Sequence, residues 1–222
     1  SLGKSLTRTV AKNRVIESEN TKPGTKDWLL TKTHTVPGKI NKILDNGRCE
    51  VIEGYCSANS IRAGEKIRIM VSTKPASTFK LEIFRTGYYG GNGARHMKTF
   101  EDLVGITQPD PMVGENYARE CDWEPCLEFE IPKDWLSGVY LGKLTAEKSG
   151  IQSYVIFIVR DDRPCDLLFQ CSDFTWSAYN RWPADYSIYT THKNWKSTGV
   201  PSGTVSFDRP YALFTHPVNK NR

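Results

Sequence analysis

The sequence predicts a mainly β chain: an immunoglobulin-like antiparallel β-sandwich over residues 49–163, preceded by an extended basic arm (1–48) and followed by the first βα portion of an incomplete α/β domain (164–222). Three observations carry this. Between Glu50 and Asp162, short β-branched and aromatic runs follow one another with turn signals between them and no helical periodicity. Before that span the chain is polar and basic. After Arg163-Pro164 it turns into a near-continuous apolar run, Asp166 to Cys171, with a helix-start signal at Ser172-Asp173.

The arm holds the basic surplus. Residues 1–48 carry ten Lys or Arg against four Asp or Glu, so of the net charge of +5 the rest of the chain contributes −1. Singly spaced lysines among Thr, Asn and Gly make a solvated segment rather than a phosphate-tracking stripe, and nucleic acid is not the expected partner. Pro23-Gly24 and Pro37-Gly38 punctuate the arm, and Asp27-Trp28-Leu29-Leu30 is the stretch able to anchor it on a neighbour.

The expected strands are Val51 to Tyr55, Lys66 to Ser72, Phe79 to Arg85, Leu127 to Ile131, Val139 to Thr145 and Tyr154 to Arg160. Ile67, Ile69 and Val71 alternate with Lys66, Arg68 and Met70, and Leu81 and Ile83 alternate with Lys80, Glu82 and Phe84, which turns one face inward. Val139, Leu141, Val155 and Phe157 complete the predicted core. Gly87-Tyr88-Tyr89-Gly90-Gly91-Asn92-Gly93 lacks the Gly-Lys-Ser/Thr of a phosphate loop and reads as a tight aromatic-flanked turn. Asp102 to Glu124 is too long for a simple hairpin connection and reads as a loop over a domain interface.

Residues 165–222 contain eleven of the 25 aromatics of the chain, which no short segment can bury alone. A strand of a parallel sheet needs neighbours on both edges and layers on both faces, so the remainder is expected from a missing α/β portion or a partner chain, in an oligomer. No run approaches the ~18 apolar residues of a membrane span. The six cysteines (49, 56, 121, 126, 165, 171) have no zinc-like spacing and are either disulfides or buried thiols, with Cys49–Cys56 and Cys121–Cys126 as conceivable local pairs. Six cysteines and a start without Met fit a processed, extracytoplasmic chain with at least one oxidised pair.

Generic catalytic motifs are absent: no Gly-x-Ser-x-Gly, no His-Glu-x-x-His and no dinucleotide fingerprint. A longer ordered set of blocks is present instead. These are Ile52-Glu53-Gly54-Tyr55, Phe84-Arg85-Thr86-Gly87-Tyr88-Tyr89-Gly90-Gly91, Cys121-Asp122-Trp123, Trp135-Leu136-Ser137-Gly138-Val139-Tyr140-Leu141, Gln152-Ser153-Tyr154-Val155 through Arg160-Asp161-Asp162-Arg163, Trp176-Ser177-Ala178-Tyr179-Asn180 and Ser206-Phe207-Asp208-Arg209-Pro210-Tyr211. Together, over about residues 50–212, they resemble the N-terminal portion of the N,N-dimethylformamidase large (beta) subunit family.

That resemblance implies a sandwich followed by an amidotransferase-like α/β domain holding a mononuclear iron with tyrosinate and glutamate ligands, and a hydrolase acting on the C–N bond of a small amide. Phenolate and carboxylate oxygens suit Fe(III), which polarises a carbonyl and acidifies a bound water. The tyrosine-bearing segment of the family matches Tyr179 and, further on, Tyr189, with His192 as a supporting catalytic group. Each also has a plainer role, a packed core tyrosine or a surface histidine. The carboxylate-bearing segment of the family has no counterpart in these residues, and the double glycine that often follows the Tyr-Asn helix is replaced by Pro183-Ala184-Asp185-Tyr186.

Two function classes follow. In one, the chain is part of a formamidase-like, iron-dependent amide hydrolase, not catalytically complete by itself. In the other, it is a non-catalytic β-sandwich binding or structural assembly module, of which carbohydrate stacking on exposed aromatics is one form.

Overall fold

A computed structural model describes residues 14–34, 48–165, 167–183, 187–188 and 203–212. The chain is mainly β, and the described residues form eight strands in two sheets: β1 (Ile52–Cys56), β2 (Ser60–Arg62), β3 (Lys66–Thr73), β4 (Ser77–Thr86), β5 (Ala94–Gly105), β6 (Pro125–Glu130), β7 (Gly138–Ala146) and β8 (Gln152–Arg160). The smaller sheet has the order β1-β3-β6 and the larger β2-β8-β7-β4-β5. All pairs are antiparallel except β2, which runs parallel to β8. That pair departs from the fully antiparallel expectation because the chain leaves β1 in the small sheet and joins the edge of the large one.

One apolar core lies between the sheets. Ile52, Ile67, Ile69 and Val71 from the small sheet meet Phe79, Leu81, Ile83, Tyr140, Leu144, Val155 and Phe157 from the large one. The alternation in β3 and β4 therefore has the expected sense. In β7 it is reversed: Tyr140, Leu144 and Ala146 are buried while Val139 and Leu141 are half-buried on the outer face. Leu141 pairs with Phe84, which faces outward with it and is itself fully buried. Both faces of β7 carry apolar residues, Val139 and Leu141 on one and Tyr140 and Leu144 on the other, so a period of two at that end of the strand cannot say which one points in.

Two strands were not expected. β2 is three residues long, and β5 mixes His96, Lys98, Thr99, Glu101 and Asp102 into an edge strand with no apolar alternation. β5 also takes in the start of the predicted 102–124 loop. Its register against β4 shifts twice, once beside Asp102, whose φ is +54°. Such bulges and charges keep an edge from pairing with another chain.

The arm is not wholly extended. Val15–Asn20 forms a short helix, α1, and residues 14–34 lie on this chain's own large sheet. Glu19, on α1, is buried: Arg95 Nε donates to its Oε1 at 2.7 Å, as does the Tyr89 hydroxyl at 2.9 Å, and Lys22 pairs with Oε2 at 2.7 Å. Asn20 Oδ1 accepts from the backbone N–H of Tyr88 at 2.9 Å. Trp28 Nε1 donates to the Asn92 carbonyl at 2.9 Å, and its indole lies against Gly93, where a Cβ would come within 3.0 Å and φ is +87°. The glycine-rich turn is thus the seat of the arm. Lys143 and Tyr154 reach from the outer face to the carbonyls of Asp27 and Trp28.

Beyond the sandwich, the helix expected after Ser172 is present as α2 (Asp173–Tyr179). The apolar run before it is not a strand. Leu167, Leu168 and Phe169 are 84–88% exposed and pair with no described strand, since both sheets are already closed around their own core. Among the described residues, no helix is long and apolar enough to cross a membrane.

All six cysteines are free thiols, so the expected oxidised pair is not formed. β1 runs between Cys49 and Cys56 and spans ~13 Å at 3.3 Å per residue, too far for a disulfide. Cys126 turns its Sγ to the Val71 carbonyl and packs on the sandwich core, whereas Cys121 belongs to a second cluster on the other side of the small sheet.

Candidate functional site

The second cluster forms where the tail of the chain meets the outer face of the small sheet. Along β1, Ile52, Gly54 and Cys56 face the core, so Glu53 and Tyr55 face out. That outer face is buried too: Tyr55 and Met70 are covered by Cys121 and Trp123 from the β5–β6 loop and by Trp182 and Ala212 from the tail. Tyr55 donates to the Cys121 carbonyl at 3.1 Å, and its ring lies 5.5 Å from that of Trp123, which meets Trp182 edge-on at 5.9 Å.

A carboxylate inside this apolar setting must be paired, and Glu53 is. Arg48 donates to its Oε1 from Nε (3.0 Å) and Nη2 (2.8 Å), and Trp182 Nε1 donates to its Oε2 at 2.8 Å. Arg48 also grips Asp110, at 3.1 and 2.6 Å, and its Cζ sits 5.1 Å from the Trp182 ring centroid. Burial pushes the Glu53 carboxyl up, against the pull of Arg48 and Trp182. Burial also opposes the Arg48 charge, yet Asp110 and Glu53 hold its pKa above the ordinary value.

On the tail side, Arg209 is 1% exposed and serves as a clamp for backbone carbonyls. It donates to Ser206 O (3.1 Å), Trp182 O (2.9 Å), Ser177 O (3.0 Å) and Asn180 O (3.2 Å). Two of these lie at the C-terminal end of α2, where carbonyls lack helical partners and a cation is favoured. Burial brings the Arg209 pKa down to about 10 and pushes the neighbouring Tyr211 phenol up to about 12. Asn180 completes the knot, its Oδ1 accepting from Trp182 N and Ala212 N and its Nδ2 donating to Pro210 O. The loop joins in through Cys121 N, which donates to Asp208 O at 2.7 Å.

Of the predicted site residues, Tyr179 is the last residue of α2 and is 55% exposed. Tyr189 and His192 lie outside the described residues. Among the described residues there is no cluster of three or more His, Cys, Asp or Glu able to hold a metal ion. One half-exposed phenol is by itself short of the several anionic oxygens that a trivalent iron needs.

The residues that meet here were not singled out from the sequence as a site. Glu53, Trp182, Asn180 and Arg209 fall in or beside the ordered blocks, and that membership was their only signal. A second convergence has the same character. Arg85 donates to Tyr89 Oη (2.8 Å) and Ser137 O (2.7 Å), beside Gly138, where a Cβ would stand 3.1 Å from Arg85 Nε. The blocks thus join the arm, sandwich and tail to one another.

No curated protein sequence matches the chain. The family described as N,N-dimethylformamidase beta subunit-like, C-terminal matches residues 80–221, from inside β4 through the tail. It is a C-terminal family description, which corrects the expectation of an N-terminal portion. With more than half of its length matched, the chain belongs to the N,N-dimethylformamidase beta subunit-like family.

Proposed function

We propose that this chain serves a formamidase-like amide hydrolase, contributing the sandwich and the opening of an α/β catalytic portion that further sequence or a partner chain completes. The reading is carried by the family match, which runs without a break from the sandwich into the tail bearing Tyr179. Its divisions are an arm (1–48), a sandwich (49–163) and the start of the α/β portion (164–222). Its cofactor is a mononuclear iron, to which this chain brings Tyr179 and Tyr189, with His192 beside them, while the carboxylate comes from outside the described residues. Its substrate is a small amide. The exposed Leu167, Leu168 and Phe169 become the first strand of a sheet only when the remaining portion supplies its neighbours. A beta subunit-like family supports a multi-subunit assembly.

Metal analysis and an amide-hydrolysis assay on the full-length protein in its assembly test this, with N,N-dimethylformamide as the probe. Bound iron and release of formate and dimethylamine are expected, both impaired by Tyr179→Phe, and residues 1–222 alone should show neither. Turnover without bound metal, or stoichiometric iron on the isolated 222 residues, would overturn it. A non-catalytic assembly module is the second reading, and the observation favouring it is that the ordered blocks converge on joints rather than on a cleft. Full activity in Tyr179→Phe would favour it.

A further inference from the structure

Glu53 and Trp182 stand 129 positions apart and share one hydrogen bond, which joins a sandwich strand to the turn after α2. We infer that Glu53 is a positioning residue: acting through Trp182 and Arg209, it holds the turn of α2 that carries Tyr179. The inference rests on the proposed reading in which Tyr179 serves the amide-hydrolysing centre.

The relay has three steps. Glu53 is itself immobilised, since Arg48 donates twice to Oε1 and is braced in turn by Asp110. Its other oxygen takes the indole N–H of Trp182, a fully buried ring. The carbonyl of Trp182 then accepts from Arg209 Nη1, and Nη2 of the same guanidinium spans Ser177 O and Asn180 O, one before and one just after Tyr179. A planar guanidinium fixes the direction of each bond as well as its length, and a fork across two carbonyls of one turn sets the orientation of that turn.

The side chain of Tyr179 is 55% exposed, so its own burial does not fix its direction. The clamp beneath it holds the backbone on either side, and so the point from which the side chain leaves the helix. Stability alone is a weak reason for such a cluster, because a buried ion pair replaced by well-packed apolar groups is often no less stable. What an apolar replacement lacks is direction, and direction matters where a reacting group must be placed to a fraction of an ångström.

The test uses the full-length protein and three variants. Trp182→Phe keeps a ring against Arg48 and removes the N–H that reaches Glu53, and Glu53→Ala removes the acceptor. Ile83→Val lightens the core of the large sheet away from this junction. The readouts are kcat and KM for amide hydrolysis, melting temperature, and backbone amide exchange of residues 173–182. Trp182→Phe should lower kcat about tenfold with KM unchanged, and should speed exchange in 173–182. Glu53→Ala should do the same where it folds. Ile83→Val should lower the melting temperature and do neither. If kcat follows melting temperature across the set, or if Trp182→Phe leaves exchange in 173–182 at the wild-type rate, Glu53 is structural only and the inference fails. If the wild-type protein hydrolyses no amide, the functional reading fails, and the exchange measurement alone decides whether the clamp exists.

Discussion

The carboxylate of Glu19 and the guanidinium of Arg95 meet at 2.7 Å across the join between the arm and the edge strand of the large sheet. Burial would raise the Glu19 pKa, but Lys22, Arg95 and the Tyr89 hydroxyl together hold it below the ordinary value. A carboxylate with a lowered folded pKa contributes stability that is complete above its unfolded pKa, about 4.3, and is lost as pH falls through the lower folded value. The arm should therefore loosen in acid, below about pH 4. Limited proteolysis of residues 14–34 across pH 3–7 should show cleavage rising only at the acid end. Glu19→Gln should be cleaved readily at every pH. Equal protection of both proteins would mean that the apolar contacts of the arm hold it.

Leu81 is fully buried, faces Leu144 across the β4–β7 ladder and lies at the centre of the core. Leu81→Ala should cost about 2–5 kcal/mol in urea unfolding. Gly142, beside it, has no room for a methyl group, since a Cβ there would come within 2.6 Å of Val155 and 2.8 Å of Leu81. Gly142→Ala should cost about 1–3 kcal/mol by overpacking the same spot. Near-zero costs at both positions would mean that the sheets pack more loosely than they stand here.

Asn116 and Tyr117 form the tip of a small hairpin closed by the Val113–Arg119 bridge, with φ of +52° and +61°. Ala118 N donates to Glu115 O at 3.1 Å, which makes this a type I′ turn with tyrosine where glycine is preferred. Tyr117→Gly should stabilise the protein by about 0.5–1 kcal/mol in thermal or urea unfolding. A loss would mean that the phenol ring contributes more than the strained backbone costs.

Thiol labelling should separate the six cysteines by burial. Cys165 is exposed and should react first, with Cys171 next. Burial pushes the Cys56 and Cys121 thiols far above their ordinary pKa, so neither should react until the protein unfolds. Six free thiols are expected in material isolated without reductant. A blocked Cys56 in folded protein would contradict its place in the core.

Much of this molecule was open to reading in one dimension. Strand existence follows from local side-chain chemistry, and six of the eight strands announced themselves as β-branched or aromatic runs. The inward sense of Ile67, Ile69, Val71, Leu81 and Ile83 followed from alternation with charged neighbours. The family followed from the order of the blocks. The tertiary structure alone decided the rest, because it turns on what covers each face. β5 carries too many charges to look like a strand and exists through its pairing with β4. Val139 and Leu141 point outward because the other face of β7 supplies Tyr140 and Leu144 to the core. Glu53 and Arg209 enter the sequence only as members of the ordered blocks, with nothing in their neighbours to show burial. They are buried because the tail folds back over the small sheet, and no sequence-local rule sees a hydrogen bond whose partners lie 129 residues apart.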